Sequence, residues 1–217
     1  MDWPLAGGYL ERLGLPPQVI RERSRRRAVE LVSPHFRGME ALLVAEIIYA
    51  TGDPDLVHLV RLGGDPVGKA VAALEAGRSV VVDVAMVSAG VRLPSGQTMA
   101  VAVQAAGAEC LALHSGTTRA AAGMKELWPR FGAGGLIVVG NAPTALLAVL
   151  DLAEAVAAPA CVIATCPGFT SATEAKDALA TSKLPHLVIA GSRGGTGAAV
   201  AALNFLLAAA GKNGAAA

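Results

Sequence analysis

Cysteine is scarce in this chain, and the three that occur, Cys110, Cys161 and Cys166, are odd in number and form no CxxC. That excludes a disulfide framework; they read as reduced, small hydrophobes. Aromatic residues make up only 4% although hydrophobic residues reach 53%. The core is therefore expected to consist of Ala, Val and Leu, with small side chains and closely approaching backbones. A surplus of charge is missing too: the net value is +1, so no general attraction to nucleic acid or to an anionic membrane follows. No His/Cys/Asp/Glu group has metal-ligand spacing, and GxxxxGK[ST] does not occur. The most apolar stretch, residues 194–211, is mostly Ala and Gly, contains Asn204 and is barely long enough to span a bilayer. It reads as a close-packed helix. Met1-Asp2-Trp3-Pro4 lacks the basic-then-apolar pattern of a signal peptide, and a cytoplasmic location is the expectation.

A length of 217 residues suits one domain. No linker or internal repeat interrupts it, and residues 212–217 are expected to fray. The first third, about residues 16–62, predicts helices. Pro16-Pro17 opens a stretch of helix formers through Val32. Met39, Leu42, Leu43, Glu46, Ile47 and Ala50 then recur at helical spacing, with Gly52 as the stop. Asp65-Pro66 supplies an N-cap and a first helical position. Beyond Gly77, short apolar runs predict strands over residues 79–82, 109–113, 136–139, 161–164 and 187–190. Helices are predicted over 118–128, 142–155, 172–180 and 196–209. Continuous rather than alternating apolar runs indicate strands covered on both faces. The fold class is therefore α/β, a doubly wound, mostly parallel sheet preceded by a helical segment.

Ligands of such sheets bind outside the carboxyl ends of the strands. The residues after the predicted strands are Asp83 to Gly90, His114-Ser-Gly-Thr-Thr-Arg119, Gly140-Asn-Ala-Pro-Thr144, Cys166-Pro-Gly-Phe-Thr170 and Gly191-Ser-Arg-Gly-Gly-Thr196. Glycine and helix N-termini offer unpaired N–H groups to an anion. Arg119 and Arg193 add two forks for carboxylate or phosphate. A shared anionic ligand follows, a polycarboxylate or a phosphate. Gly191 to Gly195 is glycine-rich, but no further βαβ unit with a ribose-binding acid comes after it, so support for a dinucleotide site is weak.

Several segments together resemble the precorrin-8X methylmutase family. They are Ala50-Thr-Gly-Asp53, Asp83-Val-Ala-Met-Val-Ser-Ala-Gly90, Gly116-Thr-Thr-Arg119, Leu127-Trp-Pro129, Gly140-Asn-Ala-Pro-Thr-Ala-Leu146, Pro167-Gly-Phe169, Glu174-Ala-Lys176 and Arg193-Gly-Gly195. They follow in order over roughly residues 20 to 208. The resemblance implies a cytosolic, flavodoxin-like homodimer that moves a methyl group from C11 to C12 of a cobalamin-precursor macrocycle. It implies no redox cofactor, because the rearrangement is intramolecular and is helped by protonation of the ring. The implied partner is a tetrapyrrole-derived polycarboxylate, with neither nucleic acid nor membrane. Arg119 falls on the family's active-site arginine, to anchor a carboxylate or support the proton donor. Thr117, Thr118, Asn141 and Thr144 would line the pocket, and Arg193, Gly194 and Gly195 would form another anchoring loop. Ser24 falls near a family Ser-Phe pair, although Arg25 follows it here. Met86 reads as pocket wall or as core, and Asp83 as a loop holder or a ligand contact.

The departure from the family lies at Tyr49. The family pattern there is roughly Arg-Met-Ile-His, whereas this chain has Glu46-Ile47-Ile48-Tyr49. A histidine gives up a proton near neutrality; an unperturbed tyrosine, with a pKa of about 10, is a weaker acid. Tyr49 can still act as donor if Arg119 stabilises the phenolate, so Tyr49 and Arg119 are the candidate catalytic pair. His35, His58, His114 and His186 are the other histidines, and His114, before Gly116, is the substitute best placed in sequence. Arg21, Arg23, Arg25, Arg26 and Arg27 read as a solvated helix face or a subunit contact, and Asp53 and Asp55 as N-caps. Two alternatives to the methylmutase remain open: a weak or inactive homologue that holds a corrinoid, and an α/β enzyme acting on a phosphorylated metabolite.

Overall fold

The computed structural model of the chain describes residues 14–214, with side chains as far as Gly211. The expectation for residues 1–4 lies outside the described residues, as does that for the end of the tail, 215–217. Helix α1 (Pro17–Val32) opens on Pro17 and α2 (Gly38–Thr51) closes on Gly52, whose φ of 65° suits glycine. A 3-10 turn (Pro54–His58) leads to β1 (Val60–Gly63), and α3 (Pro66–Glu75) starts where the Asp65 carboxylate accepts the Gly68 N–H at 3.1 Å. Then come β2 (Val80–Val82), α4 (Ala85–Gly90), β3 (Met99–Val101), α5 (Ala108–Ser115) and α6 (Arg119–Leu127). The chain continues through β4 (Leu136–Val139), α7 (Pro143–Ala155), β5 (Cys161–Ala164), α8 (Ala172–Thr181), β6 (His186–Ile189) and α9 (Thr196–Gly214).

The strands form one sheet in the order β1-β6-β5-β4-β2-β3. Only β1 runs antiparallel, with Val60 opposite Ile189; the other pairings are parallel. The five parallel strands thus follow the flavodoxin-like order, with its switch point between β2 and β4. Successive strand residues enter opposite cores, as a pleated strand requires. Val80, Val82, Leu136, Val138, Ile163 and Leu187 pack with α1, α2, α3 and α9. Val81, Ile137, Val139, Val162 and Val188 pack with α6, α7 and α8. Burial on both faces is what made these strands read as continuous apolar runs.

Two differences from the sequence-based expectation are physical. Residues 109–113 are not a strand but lie inside α5, where Leu111 and Leu113 are 44% and 79% exposed. The run contains no β-branched residue, and Glu, Leu and Ala favour helix. The edge of the sheet is instead β3. The strand β1 also falls in a stretch that the sequence predicted to be helical. It is four residues long, and its burial alternates too weakly to be read locally.

Candidate active site

The switch point is closed by an internal anion. Asp83, fully buried after β2, accepts four backbone N–H groups. Its Oδ1 takes those of Val84 and Gly140, both at 3.0 Å, and its Oδ2 takes those of Asn141 at 2.8 Å and Ala142 at 2.7 Å. Burial pushes the Asp83 carboxyl above the ordinary carboxylate value, against the downward pull of those four donors. The sequence left Asp83 open between holding a loop and touching a ligand; it holds the β4–α7 loop. The Gly140, Asn141 and Ala142 donors before α7, in a loop the sequence offered to an external anion, are therefore already satisfied.

Beside this latch, the two helix starts converge. Thr118 caps α6 by accepting the Ala121 N–H at 3.3 Å, and its hydroxyl lies 2.6 Å from that of Thr144 in the first turn of α7. Arg119 opens α6 on the exposed side and makes no hydrogen bond or ion pair among the described residues. Thr117 is half-buried and Asn141 is exposed. Met86, in the first turn of α4, is 60% exposed, which rules out the core reading of that residue.

Arg193 is not the free fork that its position suggested. Its guanidinium pairs with the Asp53 carboxylate and lies 3.5 Å from that of Asp55. Asp53 also caps the 3-10 turn by accepting the Asp55 N–H at 3.2 Å, whereas Asp55 serves the ion pair rather than a cap. Gly194, at φ 132°, packs on the Thr165 carbonyl, where any side chain would collide. The Thr165 hydroxyl donates to the Gly195 carbonyl at 3.0 Å.

The sequence also missed the role of Lys176, which has no exposed surface and whose Nζ donates to the Arg193 carbonyl at 3.0 Å. The available signal was its place in the buried stripe Ala172, Ala175, Leu179 of α8. Burial lowers the Lys176 pKa, partly offset by Cys166 and Asp177. Burial likewise pushes the Cys166 thiol up to about 11.

Tyr49 stands near the end of α2, 36% exposed. The cation that covers it is not Arg119 but Arg25, whose guanidinium lies 5.4 Å from the ring centroid. Glu46 holds that guanidinium at 3.0 and 3.2 Å through its two oxygens. Tyr49 lines two cavities. One, of about 630 Å³, includes Ser24, Arg23 and Arg27. The other, of about 540 Å³, lies between α1, α2 and α9 and includes Arg25, Glu46, Arg92 and Asn204. Helix α2 packs on one face of the sheet and α6 on the other, so Tyr49 and Arg119 arise from opposite layers. His114 does not follow a strand. It sits in the last turn of α5 with Nδ1 bonded to the Cys110 carbonyl at 2.8 Å. Of the basic run, Arg26 and Arg27 form surface pairs with Glu22 and Glu30. Among the described residues, no helix is long and apolar enough to cross a membrane.

The chain is similar to known proteins over most of its length. A family model described as precorrin-8X methylmutase matches residues 19–209. The cobalt-precorrin-8 methylmutase of Methanothermobacter thermautotrophicus is 34% identical over 193 residues, covering 87% of this chain and 91% of the relative. The precorrin-8X methylmutase of a Sinorhizobium species is 36% identical over 177 residues, covering 79% and 84%. The solved structure of precorrin-8X methylmutase from Thermus thermophilus superposes with a TM-score of 0.80 at 30% identity, covering 90% of this chain and 99% of that one.

Proposed function

The chain belongs to the precorrin-8X methylmutase family, and from that membership we propose that it moves the methyl group from C11 to C12 of precorrin-8X or cobalt-precorrin-8 in cobalamin biosynthesis. The observation that carries the reading is the cluster at the starts of α6 and α7. There Arg119, which pairs with no carboxylate among the described residues, stands beside the paired hydroxyls of Thr118 and Thr144. A guanidinium and hydroxyls at helix N-termini suit the acetate and propionate arms of the macrocycle. In this reading Arg119 grips one arm, while Thr117, Asn141, Gly194 and Gly195 complete the polar edge. Arg193 joins them only by exchanging Asp53 for a substrate carboxylate. Ser24 and Met86 line the approach.

Tyr49 is the proposed proton donor. The reaction leaves the atoms of the substrate within one molecule, so the protein's task is to bind the ring, protonate it and take the proton back. Arg25, paired with Glu46, sets its guanidinium over the ring of that tyrosine. The protein works as a homodimer in the cytoplasm in this reading. A second reading, a homologue that binds a corrinoid without converting it, is favoured by the replacement of the donor histidine and by the Glu46 charge beside Tyr49.

Incubation with precorrin-8X, and separately with its cobalt form, distinguishes the two. The methyl shift alters ring conjugation, so an absorbance change to product reports turnover. Tight binding with an unchanged ligand spectrum would leave only the second reading.

A further inference from the structure

Phe169 is the most exposed large hydrophobic side chain among the described residues, at 98%. The chain has four phenylalanines. Phe36 and Phe205 pack against one core, and Phe131 against the other. Phe169 packs against neither, yet the segment that carries it is held at both ends. On the near side, the Gly168 N–H donates to the Ser192 carbonyl at 3.0 Å, and Gly168 adopts φ 148°, where an added side chain would crowd Ala172 at 3.2 Å. On the far side, Ser171 adopts φ 63°, uncommon for a residue with a side chain, and its carbonyl accepts the Ala175 N–H at 3.0 Å. A braced loop with two positive-φ residues thus turns an aromatic ring outward.

The place of the ring is informative. Phe169 follows β5, which lies in the sheet between β4, leading to Pro143 and Thr144, and β6, leading to Arg193, and Gly168 bonds to Ser192, the residue before Arg193. Phe169 therefore stands between the Thr118–Thr144–Arg119 cluster and the Arg193 loop, at the carboxyl edge of the sheet. An apolar, flat group flanked by a guanidinium and hydroxyls matches a ligand that is flat and apolar in the middle and anionic at its rim. We propose that Phe169 is a substrate-contacting residue whose ring stacks on the face of the macrocycle while the flanking groups hold its carboxylate arms. This rests on the methylmutase-family reading above and adds to it the surface that selects a conjugated ring over an open-chain polycarboxylate.

The test is titration of the full chain and of Phe169→Ala, Phe169→Leu and Phe169→Trp with precorrin-8X and its cobalt form, followed by absorbance, together with sedimentation of each protein. The expected result is binding about tenfold weaker for Phe169→Ala, weaker for Phe169→Leu, and retained for Phe169→Trp, with unchanged sedimentation. Two outcomes overturn the contact while leaving the family activity standing. One is binding by Phe169→Ala within about twofold of the parent. The other is a shift to a smaller species on sedimentation, which would show that the ring covers a second copy of the chain. No binding by the parent chain to either corrinoid would overturn both readings.

Discussion

By the sequence resemblance, Tyr49 carries a hydroxyl where the family pattern has an imidazole, and the two groups differ in how readily they release a proton. A phenol needs a neighbouring positive charge more than an imidazole does. The sequence suggested Arg119 for that charge. The cation that the structure sets over the Tyr49 ring is Arg25, held by both oxygens of Glu46. The arginine that follows Ser24 and the glutamate at position 46 looked like separate departures from the family; in space they are one pair. Removing the hydroxyl alone is then the sharpest test. Tyr49→Phe is expected to lower turnover about a hundredfold or more while leaving the binding constant for precorrin-8X near that of the parent. Arg25→Gln should lower turnover in the same direction but less. An undiminished rate in Tyr49→Phe, read by the absorbance assay, would move proton delivery to another group.

Among the elements, the strands covered on both faces were legible because their residues are apolar without interruption, and the helices because their caps are local. Asp65 and Gly52 act within a few residues of themselves. What misled was residues 109–113, where apolar character belongs to a helix with exposed leucines. The sequence offered Asp83 as a loop holder but not the loop it holds, since those partners lie more than fifty residues away between β4 and α7. Its chemistry makes a firm prediction. A carboxylate accepts on both oxygens, whereas an amide turns an NH2 group toward N–H donors. Asp83→Asn is therefore expected to destabilise the fold by about 3 kcal/mol and to loosen the start of α7. Urea unfolding measures the first effect, and hydrogen exchange at Gly140 to Ala142 the second. A loss under about 0.5 kcal/mol would show that the loop is held by other means.

At the scale of the molecule, Lys176 and Arg193 tie three parts of the fold together. The Lys176 ammonium fixes the Arg193 carbonyl, and the Arg193 guanidinium reaches across to Asp53 and Asp55 beyond the end of α2. The exposed ion pair adds little by itself, on the order of 1 kcal/mol or less. The buried ammonium has a measurable signature. Its folded pKa is lowered, chiefly by burial, so between that value and the ordinary lysine value the unfolded chain binds more protons than the folded one. Stability then rises with pH across this window, is fully gained above the ordinary lysine value, and is lost as pH falls through the folded value. Lys176→Met lacks the group. The parent is therefore expected to gain stability relative to Lys176→Met as pH is raised from 7 toward 10, measured by urea unfolding at each pH. A difference that stays flat or falls with pH would contradict the assignment.

The sequence by itself determined the α/β class, most of the parallel strands, and most of the helix starts and stops. All of these depend on interactions within a few residues or on continuous apolar character. Only the tertiary structure decided that Arg193 is paired with Asp53, which cation covers Tyr49, that Asp83 fills the switch point from inside, and that Phe169 faces outward beside the Arg193 loop. These depend on contacts between residues far apart in the chain, brought within a few ångströms by the packing of two helical layers on one sheet.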